Sequence, residues 1–476
     1  MKRRIPLVGV ALVLSFGLAA SLPVLAQDTG SDADTTIDEL FGGEDTVETA
    51  PSAQAQAANP VEDAISLGKV RVGGSFSGTI GPTFMWLNPW NGGSSFFSPD
   101  SSSLSFRLKS TLYVDARPVE DFRVHASVKA AWPFSSTVLD TDSEEVSVSN
   151  LKVFELFSDF SVGDSVFFRF GKSTVKWGVG YFWSPADVIN LEQIDITDPT
   201  AQREGPINFQ AMIPIKGTQN NIYLLAILDE DDIDFDTTAL AARAEFLLGN
   251  YELGAGVYYR SDTAERAMAT ITGPIGNFDV FGEAMVSRGS AKSFVTSIDE
   301  DTPYIHYSSL SDSRDKFFFS ATAGLSYADS RNNFSAAGQY YYNGEGYSDV
   351  KRQELINEAK QAIYKLSMTG HAADSATVLK GLATAIYGSG RHYVAVNFSK
   401  SELFTEDLSA SVLAVANLSD FSGMVRPSIS WDVTDYFALS LSGYFFWGGG
   451  EDEYYFLGGG GNSVSVSLGA TVSGSF

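Results

Sequence analysis

Apolar and polar residues alternate along most of this chain. In LSFRLKSTLYVDA (104–116), Leu104, Phe106, Leu108, Leu112 and Val114 share one phase, and Ser105, Arg107, Lys109, Thr111 and Asp115 share the other. In FRVHASVKAAW (122–132), Phe122, Val124, Ala126, Val128 and Trp132 alternate with Arg123, His125, Ser127 and Lys129. The same rhythm returns at 251–260, 333–343 and 436–447. It closes the chain in GNSVSVSLGATVSGSF (461–476), where Val464, Val466, Leu468, Ala470 and Val472 lead to a terminal Phe476. A period of two is the signature of strands with two unlike faces.

Two architectures produce that pattern. In a soluble sandwich the apolar phase is the core and the polar phase meets water. In a transmembrane barrel the apolar phase meets lipid and the polar phase meets a lumen. The alternating stretches run about 10 to 14 residues, the length of a tilted membrane crossing, whereas soluble strands centre on about 5 or 6. The polar phase carries bulky mid-strand charges: Arg107, Arg169, Arg243, Glu283 and Arg426. Aromatic pairs sit near strand ends (Tyr340 and Tyr342, Phe445 and Trp447, Phe317 and Phe319), as interfacial girdles require. The pattern therefore predicts an all-β fold, a transmembrane antiparallel up-and-down barrel over 69–476.

Eighteen spans fit between residues 69 and 475; dropping the weakest, 220–229 and 264–273, leaves 16. After every second span comes a tight turn, such as SVGDS, LGNYE or DVTDY. The long connections, near 83–102, 134–150, 175–205, 289–314, 345–389 and 448–461, all fall at the other end. That asymmetry predicts extracellular loops opposite short periplasmic turns, with both termini periplasmic. A closed barrel must pair its last strand with its first, because lipid satisfies no open edge.

Ahead of the barrel, MKRRIPLVGVALVLSFGLAASLPVLA (1–26) has a basic start, an apolar run and a small-residue end. It reads as a secretory signal peptide rather than a retained anchor, since no stop-transfer charges follow. Residues 27–68 read as an acidic disordered periplasmic linker; 27–60 alone hold eight acids and no Lys or Arg. The chain has no cysteine, so disulfides and thiolate metal sites are excluded. A formal net charge of −26 argues against nucleic acid as a partner.

The most distinctive internal stretch is FRFGKSTVKWGVGYFWSPADVINLEQIDITDPTAQREGP (168–206). Its Gly171, Lys172, Trp177, Gly178, Ser184, Pro185, Asp187 and Asn190 make a pattern that resembles porin-like outer-membrane families, including alginate-export-type barrels. The resemblance implies that this loop folds back into the lumen and narrows it; an ordinary surface loop built on Asx and Pro turns remains the alternative. The terminal strand ending in Phe476 resembles the C-terminal signature of bacterial outer-membrane proteins, which implies recognition by the barrel-assembly machinery.

Charge on the polar phase supports a pore. Arg107, Lys109, Arg123, Lys129 and Arg169 come from neighbouring strands, Lys172 and Lys176 continue toward the loop, and Glu155 and Asp159 are interspersed. Asp187, Glu192, Asp195 and Asp198 of the loop are candidates to face them. Walls of opposed charge select hydrated polar solutes; simple ion pairing within the wall is the alternative.

One connection changes period. Residues 349–388 place Leu355, Ala359, Ala362, Ile363 and Leu366 on one helical face. After Gly370, Asp374 is placed to cap a second helix with Val378, Leu379, Leu382 and Ile386. This predicts a helical hairpin at the extracellular mouth, either a lid or a self-packed cap. The four histidines stand in no nucleophile or zinc spacing, and the acidic run 229–236 lacks EF-hand spacing. No enzyme activity, cofactor or metal is therefore expected. The reading that results is a porin-like channel for passive diffusion of small polar solutes across an outer membrane. A transporter of hydrophobic compounds gated by the helical insert, or a surface adhesin, are the alternatives. Lipid, the assembly machinery and small solutes are the expected partners, and homo-oligomerisation stays open.

Overall fold

The computed structural model describes residues 69–90, 98–119, 121–139, 145–230, 234–299, 304–370, 390–459 and 461–476, with single positions at 375, 377, 378 and 381. Side chains at 133–150, 164 and 349 are not described. The expected signal peptide, the acidic linker and most of the second helix of the insert lie outside the described residues.

Alternation forces each strand to present one face to each side, and hydrogen-bond saturation forces the edges together. β1 (Val70–Leu87) pairs antiparallel with β2 (Ser101–Val119) on one edge and with β20 (Ser463–Ser475) on the other. The ring continues through β3 (Phe122–Leu139), β4 (Glu145–Val162), β5 (Val166–Lys172), β6 (Ile207–Pro214), β7 (Asn221–Leu228) and β8 (Ala239–Leu248). It passes on through β9 (Tyr251–Tyr259), β10 (Glu265–Ile275), β11 (Phe278–Arg288), β14 (Phe317–Asp329), β15 (Phe334–Tyr342) and β16 (His392–Lys400). β17 (Leu408–Asn417), β18 (Ser422–Thr434) and β19 (Phe437–Trp447) complete it. Each strand pairs with its sequence neighbour in an 18-stranded sheet that closes on itself. The expected strand count holds, and the reduced count of 16 is not needed.

The seam explains the terminal residue. Gly74 N–H donates to the Phe476 carbonyl at 2.9 Å, and Phe476 N–H donates to the Gly74 carbonyl at 3.0 Å. On the lumen side of the same seam, the hydroxyls of Thr79 and Thr471 meet at 3.0 Å and those of Thr83 and Ser467 at 2.9 Å.

Large apolar side chains cover the outside. Leu104 is 71% exposed, Leu240 56% and Val257 55%, all on the outward phase. A continuous apolar belt of this kind is untenable in water and natural in lipid. The barrel is therefore a membrane-spanning one.

Two expectations about connections need correction. Residues 134–150 are not a long loop: β3 and β4 run on as a hairpin, with Ser135 opposite Ser149 and Leu139 opposite Glu145. The stretch 289–316 likewise carries its own two-stranded hairpin, β12 (Val295–Ile298) with β13 (Ile305–Tyr307), and a short helix, α1 (Leu310–Ser313). The five longest connections, 88–100, 173–206, 289–316, 343–391 and 448–462, still share one end, opposite both ends of the described barrel.

The helical insert begins with α2 (Asp349–Met368), capped where Ser348 Oγ accepts from Lys351 N–H at 3.3 Å. Its apolar face is occupied: Leu355, Ile356, Ala359, Ala362 and Leu366 are buried with Val295 and Ile298 of the β12–β13 hairpin, Tyr347 and Val378. Arg352 pairs with Asp420 at 3.0 Å, tying α2 to the β17–β18 connection. A short helix, α3 (Glu453–Leu457), lies in the β19–β20 connection.

Candidate functional site: a loop inside the barrel

Gly171 turns the chain inward at the end of β5. Its φ of +133° lies where side chains are strained, and a Cβ there would meet the Leu156 carbonyl oxygen at 2.1 Å. Residues 173–206 then run within the barrel and touch the inward, mid-strand residues of half its wall. Trp177 and Phe182 are each 1% exposed. Val175, Trp177, Ala186 and Ile189 pack on Leu225 and Ile227 of β7, Ala239 and Ala241 of β8, Tyr258 of β9 and Met268 of β10. Farther round, Phe182 packs on Ala395, Leu413, Val415 and Met424, with α3 supplying Tyr454. This covers the inward apolar residues Tyr223, Leu225 and Ile227 that would otherwise line a lumen.

Polar anchors fix the loop at four strands. Glu283 of β11 accepts the backbone N–H groups of Val179, Gly180 (2.6 Å) and Ala186 (2.9 Å) and the hydroxyl of Ser184 (2.9 Å). Gln339 of β15 accepts from Phe182 N–H at 2.6 Å and donates to the Trp183 carbonyl at 2.6 Å. Arg243 of β8 donates to the Trp177 carbonyl, and Arg426 of β18 donates to that of Thr197 at 3.3 Å. Backbone amides buried without such acceptors would each cost about 1–3 kcal/mol.

The loop is also stapled to itself. Asn190 accepts from Val175 N–H at 3.0 Å and returns a bond to the Val175 carbonyl at 2.7 Å. Asp187 accepts from Asn190 Nδ2 at 2.9 Å and pairs with Arg203. Gly178 has no room for a side chain: a Cβ would lie 1.8 Å from Ser184 Oγ and 2.6 Å from Glu283 Oε1. Gly178→Ala is therefore expected to push the 177–186 segment off Glu283, at about 1–3 kcal/mol. Protease nicking within 173–206 of the folded barrel should rise; an unchanged digest would refute this packing account.

The opposite arc is different. Along the inward phase of β1–β5, Arg71, Arg107 and Lys109 stand with Arg123, Lys129, Lys152 and Arg169. Among the described residues, Asp115, Glu155 and Asp159 share that phase with these seven basic groups, and Glu192 and Glu204 of the loop reach Lys152. Arg123 Nε donates to Asp115 at 2.6 Å, and Arg169 Nε to Asp159 at 2.7 Å. Arg169 also lies 4.1 Å above the Phe157 ring, and Lys129 sits 3.3 Å from that of Phe154. These groups keep access to solvent: the side chains of Arg123, Arg169 and Asp159 are 29%, 33% and 28% exposed.

The candidate residues divide between the two arcs. Arg107, Lys109, Arg123, Lys129 and Arg169 share the basic wall. Lys172 stands at the loop-side rim, paired with Glu204 at 2.8 Å and Glu230 at 2.7 Å. Burial works to raise the Glu204 carboxyl, but Lys172 and Lys152 outweigh it and hold the group below the ordinary glutamate range. The charges acting on Lys176 include Glu245 and Arg243 of β8 and Glu252 of β9, not the basic groups of β1–β5. Of the four expected loop acids, Glu192 reaches the wall, 3.8 Å from Lys152, which Glu204 of the same loop approaches more closely at 3.2 Å. Asp187 does not face it: its side chain is 3% exposed and held by Arg203. Asp195 and Asp198 turn instead to Thr197 (2.8 Å) and Thr200 (3.1 Å) within their own segment. Short Asp side chains close local turns more readily than they span a lumen.

The anchors Glu283, Gln339, Arg243 and Arg426 were not among the expected site residues. Three of them carried a signal, a charge in mid-strand on the polar phase; Gln339 carried none.

No family model matches the chain, and no curated protein matches it. Among solved structures, Pseudomonas aeruginosa OccK9 (OpdG) is 7% identical, with 86% of this chain and 99% of that one covered at a TM-score of 0.48. Pseudomonas aeruginosa OpdL is 8% identical, with 86% and 99% covered at 0.45. Salmonella typhi OmpF in complex with daunomycin is 8% identical, with 85% and 97% covered at 0.38. Similarity at this level carries nothing about solute or mechanism.

Proposed function

We propose that the chain is an outer-membrane channel for passive diffusion of small polar solutes, narrowed by the inward loop and not an enzyme. One observation supports the reading most: the barrel interior is split into a dry arc, packed by residues 173–206, and an arc of charged side chains that keep contact with solvent. Eighteen-stranded barrels leave room for an aqueous passage. Fixed charge on one side of such a passage favours hydrated, polar solutes over lipophilic ones. In this reading the long loops are extracellular, the turns and termini periplasmic, and the strand ending at Phe476 is the mark for the assembly machinery. Passage of hydrophobic compounds loses its main support, because the apolar inner residues Tyr223, Leu225 and Ile227 lie against the loop.

The test is single-channel recording from refolded residues 27–476 in a planar bilayer. Open steps are expected at one polarity at least. In a salt gradient the reversal potential should show anion preference, because basic groups outnumber acidic ones among the described residues of the wall. Inserted barrels that pass no current at either polarity would refute the channel.

A further inference from the structure

We propose that His125 of β3 sets the ion preference of the passage and makes it depend on pH. This rests on the channel reading. His125 lies on the inward phase, within the basic wall, and its side chain is 15% exposed. Rings from both flanking strands stack on it, Tyr113 of β2 with centroids 6.3 Å apart and Phe157 of β4 with centroids 5.2 Å apart. So clamped, the imidazole turns one nitrogen to each flanking strand. Nδ1 lies 3.2 Å from Asp115 Oδ2 of β2, and Nε2 lies 3.6 Å from Glu155 Oε2 of β4.

A neutral imidazole carries one N–H and serves one carboxylate; the protonated ring carries two and pairs with both. The two acids therefore match the charged ring. Histidine ordinarily takes up that proton between about pH 5 and pH 8, above the ordinary carboxyl range. Over that window the wall gains one positive charge. The arginines around the site keep their charge throughout. Arg71 of β1 lies opposite Asp115, Arg117 of β2 stands 3.7 Å from it, and Arg123 of β3 donates to it at 2.6 Å. Arg169 of β5 and its partner Asp159 lie beyond the Phe157 ring. The inward loop brings the Thr174 N–H and the Gln202 side chain to Glu155, both at 3.4 Å, and neither is charged. Among the described residues the other histidines stand elsewhere, His306 on β13 and His392 on the lipid-facing phase of β16.

The test is the reversal potential of the refolded chain in a planar bilayer under a salt gradient, at about pH 8 and about pH 5.5. The anion-to-cation permeability ratio should rise about twofold or more at the lower pH, the effect of one unit charge at about 8 Å in water. His125→Gln should hold the alkaline value at both pH values, and His125→Lys should hold the acidic one. Every other titratable group, the α-amino terminus included, is common to the three chains, so the contrast isolates one side chain. An equal pH step in the parent and in His125→Gln would overturn the role of His125 while leaving the channel intact. A parent whose ratio does not change with pH would do the same. Inserted barrels that pass no current would take the channel reading and this one together. If His125→Gln does not insert, His125→Lys decides alone: a pH step retained there overturns the proposal, and its loss supports it.

Discussion

Glu283→Ala is expected to release the inward loop and enlarge the pore. The substitution removes one carboxylate and strands the N–H groups of Val179, Gly180 and Ala186 together with the Ser184 hydroxyl. At about 1–3 kcal/mol for each stranded group, the docked position loses more than one neighbouring contact can restore. The loop then samples positions away from β11, and its cover over β7–β10 opens. Single-channel steps should become several-fold larger and noisier, and protease should cut within 173–206 of the folded barrel. Glu283→Gln should fall between, since one oxygen remains to accept while the new amide donates toward groups that are already donors. Parental step size and an uncut loop in the alanine variant would sink this account of Glu283.

The second large effect is on selectivity. Changing Arg107, Arg123 and Arg169 to Gln removes three of the wall's seven basic groups. Asp115 and Asp159 lose their hydrogen-bonded guanidinium partners at the same time, so their charge acts more strongly on the passage. The reversal potential in a salt gradient should move to near zero or change sign, with the barrel still inserted. The effect should shrink at high salt, where the screening length falls to about 3 Å at 1 M. Retained anion preference would place the selective charge elsewhere.

The strands were legible because lipid imposes a rule on every residue of a crossing: one face apolar, the other free. That rule marks Leu104 to Asp115 as plainly as Val464 to Val472. It fades past the apolar band, which is why the hairpin ends of β3 and β4 read as loop. It fails for β7, whose Tyr223, Leu225 and Ile227 break the alternation on the inner side; the breach marks a wall that something covers. The loop's own motif was visible, and Trp177, Gly178 and Asn190 prove to be the residues that shape it. Its partners were not. Glu283 and Gln339 are single polar residues on a polar phase, and what distinguishes them is a backbone about 100 to 150 residues away in sequence. Asp187 misled for the same reason, since a carboxylate in an acidic loop looks the same whether it faces a lumen or Arg203.

The order of the anchors has a consequence for how the barrel is made. Loop residue 177 meets β8, 179–186 meet β11, 181–183 meet β15 and 197 meets β18. The loop precedes all of these strands in the chain, and its contacts follow broadly in their order. The loop serves as a gauge for circumference: a ring closed too early would leave Thr197 and Phe182 without β18, and one closed too late would stretch them from it. Closure of the ring at β18 and the seating of residues 173–206 are in that sense one event, each fixing the other.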